Sequence, residues 1–203
     1  MATVTWQSFY PLILPDVANC PTVTVDATLA AVAADFCSRT QIWREQLDQG
    51  YTVSNIPEYD LDGTAVIESV LWVVCDGIKL TPTDYRVVPH DRLSEVNQPT
   101  HYWVVNENIL RLFPIPNARY VLNVGVSLKP SRTAVGVEDW IYETWAETIA
   151  SGAISRLVRV PKKEWTDFGL SEVHRKLYER GVAEAEQRDV RNINLTVKQR
   201  PIA

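Results

Sequence analysis

Glu58, Asp60 and Asp62 stand at alternate positions ahead of Gly63. In a calcium loop that spacing gathers carboxylate oxygens around a hard cation while the glycine allows the sharp turn. The match fails in detail: the first position is Glu, the bidentate position holds Ser69 with Glu68 one place early, and the flanks read as strands. An acidic turn is the simpler reading. His90, His101 and His174 are neither spaced four apart on a helix nor paired with cysteines, as a zinc site requires. Cys20, Cys37 and Cys75 form an odd set without a CxxC spacing, which predicts buried thiols rather than disulfides or zinc ligands. The eight glycines stand singly, so there is no GxSxG, GxGxxG or P-loop. Scattered carboxylates such as Asp60 and Glu68 would serve a hydrolase only if folding set them at a working separation. The expectation is a protein with no catalytic residue, no metal and no cofactor, and therefore not an enzyme.

Seven tryptophans raise a second chemistry, because aromatic faces stack sugars and bases. Trp43, Trp72, Trp103 and Trp145 lie inside apolar periodic patterns and are expected in the core. A carbohydrate- or ligand-binding β module with a helical appendage, using exposed tryptophans as its platform, is the alternative function. A nucleic-acid reader would also need a basic face. Charge argues against one: residues 1–130 hold 8 basic and 14 acidic side chains, a balance of −6, while residues 131–203 hold 12 and 11, a balance of +1. The last acid is Asp189, after which Arg191, Lys198 and Arg200 stand alone. A basic tail on an acidic body suggests an arm that docks on a partner.

The elements that would position these residues follow from periodicity. Cys20 to Trp43 reads as one amphipathic helix, with Pro21 in its first turn and Val25, Leu29, Val32 and Phe36 on one face. The leader Trp6–Pro15 is expected to be extended. Residues 41–130 read as strands: strand, turn and strand up to Leu61, a tight turn at Asp62-Gly63, a central strand Ala65–Cys75 closed by Asp76-Gly77, a hairpin around Asn106-Glu107-Asn108, and an alternating strand Tyr120–Leu128. Pro89–Thr100 is polar and aperiodic and predicts a long exposed loop, with Asp91, Arg92, Glu95 and Asn97 as candidate inter-subunit or tail-facing residues. Ile141, Trp145, Ile149, Ala153 and Leu157 mark a further helix. Another, about Asp167 to Val190, would turn Leu170, Val173, Leu177 and Val182 inward. The expected class is α+β: a helical bundle (1–40 and 131–190) with an inserted antiparallel β domain (41–130) and an extended C-terminal tail (191–203). No apolar run approaches the roughly 18 residues a bilayer span needs. The start, MATVTWQSFYPLILP, lacks Lys and Arg and predicts neither signal peptide nor anchor.

The order of these features resembles a known family. "CP", a helix ending Phe36-Cys37, Thr40 and Trp43, a Tyr59-Asp-Leu strand, a central strand closed by Asp76-Gly77, the Leu112-Phe-Pro-Ile-Pro116 break and a helix hairpin containing Gly and Ala are similar to the head-to-tail adaptors of tailed bacteriophages. These podovirus-type proteins are also called tail tubular protein A or head completion proteins. The resemblance spans about Cys20 to Asn192. It implies a virion protein assembled in the host cytoplasm as a twelve-subunit ring beneath the portal, continuing the DNA channel and carrying the tail nozzle. Its implied partners are the portal, the nozzle, further copies of itself and double-stranded DNA passing without sequence-specific contact, with no membrane. The resemblance also gives the coda a partner: Arg191, Asn192, Ile193, Leu195, Val197, Lys198 and Arg200 would bind the portal.

Overall fold

The computed structural model describes residues 2–88, 92–106 and 108–193, without the side chains of 189–193. Its strands are β1 (Thr3–Thr5), β2 (Arg44–Gln46), β3 (Gly50–Tyr51), β4 (Glu58–Asp60), β5 (Val66–Cys75), β6 (Ile78–Lys79), β7 (Thr81–Pro82), β8 (Val96–Asn97), β9 (His101–Val105), β10 (Ile109–Phe113), β11 (Ile115–Pro116), β12 (Val121–Lys129) and β13 (Gly136–Glu138). Its α-helices are α1 (Tyr10–Ile13), α2 (Thr22–Thr40), α3 (Asp139–Leu157) and α4 (Phe168–Ile193). The chain divides into two compact units, Met1–Ile42 with Pro130–Ala203, and Trp43–Lys129.

In the first unit, β1 pairs antiparallel with β13, placing Val4 opposite Val137. The leader is not extended. A 3-10 turn over Trp6–Phe9 runs into α1, whose Pro11 occupies the first turn where a missing N–H costs nothing. Trp6 is fixed by its indole N–H donating to the Ala134 carbonyl at 2.6 Å. Helix α2 is shorter than Cys20–Trp43. Pro21 is its N-cap rather than part of its first turn, and Gln41 in the left-handed conformation (φ 48°) stops it. Val25, Leu29, Val32 and Phe36 are fully buried, as are Ile141, Ile149 and Ala153 on α3.

Gly152 sets how closely the helices meet. A Cβ there would lie 2.6 Å from Val32 Cγ1 on α2 and 2.8 Å from Tyr178 Cδ2 on α4. Gly181 does the same for α4 against Thr148 on α3. Polar groups then bind the three helices at their margin. The Tyr178 hydroxyl donates to Asp35 at 2.7 Å, Arg156 pairs with the same carboxylate at 3.2 Å, and Arg39 grips Glu179 through two bonds of 3.1 and 2.6 Å. Burial, reinforced by the Asp35 carboxylate, raises the Tyr178 phenol well above its ordinary pKa. The Arg39 guanidinium holds Glu179 below the usual carboxylate range.

In the second unit, β12 lies between β2 and β5, with β6 on the far edge of β5 and β3 on a further stretch of β12. A separate sheet runs β4-β10-β9-β7. Ile67, Val73, Cys75, Leu122, Val124, Val126 and Leu128 from the first sheet share one core with Tyr102, Leu110 and Leu112 from the second. On the opposite face of β12, Gly125 leaves room for the Trp72 indole, which a Cβ would meet at 2.2 Å. Asp76 and Gly77, with φ of 49° and 79°, close the β5–β6 turn. Asp62-Gly63 closes no hairpin, because β4 pairs with β10 and β5 with β12, so this dipeptide carries the chain from one sheet to the other.

The class is mixed α+β, but the picture of a helical bundle with an inserted antiparallel β domain is corrected. Among the described residues thirteen strands in four sheets outnumber the four α-helices, one of which is a single turn. One sheet, β1–β13, lies within the helix-bearing unit. Two pairings, β7 with β9 and β8 with β11, are parallel. The physical reason is connectivity: parallel neighbours need a crossover of about a dozen residues, and the polar stretch after β7 supplies one.

Candidate assembly surfaces

The crossover from β7 to β9 contains the loop singled out in the sequence, and its described part is ordered by packing. Leu93 and Val88 lie against Trp103 and Phe113 on the outer side of the β9–β10 pair. β8 forms within the stretch, and the Ile115 amide donates to the Glu95 carbonyl at 2.8 Å. Of the four candidate residues, Arg92 and Glu95 engage each other, two guanidinium nitrogens reaching one carboxylate oxygen at 3.0 and 2.8 Å. Asn97 accepts the Gln98 amide at 2.8 Å. Asp91 lies outside the described residues. Exposed apolar groups lie instead at Tyr85 and Val87 just before the loop and at Val96 within it.

The tail is only partly within the description. Helix α4 continues through Ile193, so the backbone at Arg191, Asn192 and Ile193 is helical rather than extended. Leu195, Val197, Lys198 and Arg200 lie outside the described residues. The expected inward stripe of α4 is displaced. Ser171, Tyr178, Val182 and Ala185 are buried and His174 is nearly so, whereas Val173 is 55% exposed and Leu177 37%. The face left outside borders an open groove of about 570 Å³ between α3 and α4. Leu12, Trp145 and Leu177 supply its apolar surface, and Glu143 and Glu147 line the α3 wall. Arg180, Glu184 and Arg188 line the α4 wall, with the Arg188 guanidinium 5.8 Å from the Trp145 ring centre. Sequence periodicity missed this surface because hydroxyl and imidazole side chains at 171, 174 and 178 do not register as apolar.

Several of the chemistry-bearing residues are taken up by local structure. Glu58 pairs with Arg111 at 2.9 Å, Glu68 with Lys129 at 2.5 Å, and His101 Nδ1 bonds the Thr100 hydroxyl at 2.8 Å. His174 Nε2 faces Asp16 at 3.6 Å, while its buried Nδ1 has no partner among the described residues. His90 is outside the description. Cys20, Cys37 and Cys75 are buried thiols, and burial pushes the Cys75 thiol up to about 11, away from nucleophilic use. Among the described residues no group of three or more His, Cys, Asp or Glu could hold a metal ion, and no helix is long and apolar enough to cross a membrane. The tryptophan platform fails on exposure: Trp6, Trp103 and Trp145 are buried, and Trp43, Trp72, Trp140 and Trp165 are half-buried.

What remains is a scaffold whose open features are surfaces: an ordered crossover, an amphipathic groove and a basic segment beyond α4. Comparison with curated proteins gives no match. Comparison with family models gives the SU10 adaptor protein model over residues 12–200, which takes in both compact units and most of the coda. The head-to-tail adaptor resemblance is thereby upheld, and the chain belongs to the SU10 adaptor protein family.

Proposed function

We propose that the protein is a non-enzymatic virion connector. It binds beneath the portal of a tailed phage, assembles there as a ring of about twelve copies, continues the DNA channel and gives the tail nozzle its platform. The observation that carries this reading is the adaptor-family match over residues 12–200. Charge supports it: an acidic body adjoins passing DNA without gripping phosphates, since like charge suppresses binding. Arg191, Asn192, Ile193, Leu195, Val197, Lys198 and Arg200 form the portal-contacting arm, whose cations, free of any acid after Asp189, suit it to a complementary partner surface. Asp91, Arg92, Glu95 and Asn97 lie on the crossover that faces a neighbouring copy or the tail.

Mixing the purified chain with the portal encoded beside its gene, followed by electron microscopy, tests the proposal. Rings capping the portal, lost on deletion of residues 191–203, are the expected result. Failure of the two proteins to associate, with the deletion changing nothing, refutes it.

A further inference from the structure

The α3–α4 groove is open, and its acids are unpaired: Glu143, Glu147 and Glu184 form no ion pair among the described residues, while the groove's arginines, Arg180 and Arg188, lie on the α4 wall. Its α3 wall carries acids and no base, while Leu12 and Leu177 each leave more than a third of their surface uncovered. The segment that follows α4 has the complementary chemistry. Residues 194–203, NLTVKQRPIA, place Leu195 and Val197 two apart, add Lys198 and Arg200, and contain no acid. We propose that this groove is the resting dock of the chain's own segment 194–203, a site that rests on reading that segment as a docking arm and adds where the arm sits before its partner takes it.

The reach is sufficient. The groove extends along α4 from Arg188 back to Leu177, about 16 Å at the helical rise, and α4 continues about 8 Å beyond Arg188 to Ile193. A segment reversing at the end of α4 must therefore travel about 24 Å. Ten residues span at most about 33 Å, which leaves two or three for the reversal. Lys198 and Arg200 then run beside the acidic α3 wall, Val197 comes to the Trp145–Arg188 end of the groove, and Ile202 is far enough along the segment to approach Leu177. In this position the arm covers apolar area that is otherwise wet, and a partner surface must compete with the groove for it.

The test uses the full-length chain with a photo-crosslinking amino acid in place of Val197, irradiated at sub-micromolar concentration without portal. The expected product is an internal crosslink in the monomer, mapped to the α3 peptide that carries Glu143, Trp145 and Glu147. Glu143→Lys combined with Glu147→Lys should lower its yield about fivefold, as two lost partly screened ion pairs would, and Lys198→Glu with Arg200→Glu should restore it. Added salt should lower the yield of the unmodified pair in parallel, a readout that needs no variant to fold. Dimer-sized products on the same peptides would assign the groove to a second copy and overturn the proposal, as would crosslinks elsewhere, no crosslink, or a yield indifferent to charge. Portal association of the chain lacking residues 191–203 is measured separately, so an empty groove and a failed connector reading are distinct results.

Discussion

Replacing Gly152 by alanine tests whether the three long helices meet as tightly as their geometry states. Propensity alone favours the change, since alanine is better than glycine inside a helix by about 1 kcal/mol. Packing opposes it. The new methyl would lie 2.6 Å from Val32 Cγ1 and 2.8 Å from the Tyr178 ring, both below any normal carbon contact. Val32 is fully buried and short, and Tyr178 is held by its hydroxyl on Asp35, so neither yields by a simple rotation. Overpacking of this kind costs about 1–3 kcal/mol, which outweighs the propensity gain at most of that range. The net expectation is destabilisation by about 1 kcal/mol, seen as a melting temperature lower by about 2–4 °C in a chain of this size. Urea unfolding followed by far-UV circular dichroism reads it directly. Val32→Ala relieves the first clash, so the double variant should be more stable than the sum of the two single losses predicts, by about 1 kcal/mol of coupling. A Gly152→Ala protein more stable than the parent, or strict additivity with Val32→Ala, would refute the close approach of α2, α3 and α4.

The Arg39–Glu179 pair predicts a pH effect of definite sign. Because Arg39 lowers the folded pKa of Glu179, the pair's contribution is present above the carboxylate's unfolded value and is lost as pH falls through the folded one. With side chains 38% and 45% exposed, the contribution is screened to below about 1 kcal/mol. Glu179→Gln should therefore lower stability slightly at neutral pH and converge with the parent in acid, and a constant difference across pH would count against the pair. On the β side, Gly125→Ala should expel the Trp72 indole from its place across β12, costing about 1–3 kcal/mol. The indole N–H resonance assigned by Trp72→Phe reports this, and an unmoved resonance would contradict the packing.

Legibility divides along the kind of constraint each segment obeys. Val25, Leu29, Val32 and Phe36 of α2, and Ile141, Trp145, Ile149 and Ala153 of α3, were readable because burial on one face imposes a helical period that aliphatic and aromatic side chains show plainly. On α4 the apolar period holds at Val182, which is buried, and falls one position short in the first half of the helix. Its inward line there runs through Ser171, His174 and Tyr178, polar side chains that do not register in an apolar period and of which Ser171 and Tyr178 are held by distant partners. For Tyr178 and Ser171 those partners, Asp35 and the Ser155 carbonyl, lie 143 and 16 residues away. The crossover after β7 looks like a plain loop in sequence because strand β8 is two residues long and the stretch gains its order from Leu93 and Val88 packing on Trp103 and Phe113. The parallel pairings were invisible for the same reason: two-residue strands carry no alternation to count.

The candidate surfaces were harder still, and the cause is the nature of the task rather than the length of any motif. A catalytic centre demands particular groups at bonding distance, and those demands leave residue types at recognisable spacing. A connector draws its affinity from area, shape and summed charge, to which many residue combinations are equivalent, with only a few positions carrying most of the energy. The sequence therefore announces the proposed arm through the one property that summation preserves, the run of cations after Asp189. It hides the groove, beside which α3 and α4 approach closely at Gly181 against Thr148 while Leu177 and the two glutamates of α3 stay outside. Moving the helices apart should abolish the groove's shape while leaving every one of its charges in the sequence. Gly181→Leu, whose side chain would occupy the place of Thr148, is accordingly expected to disturb the groove more than removal of any single charge lining it.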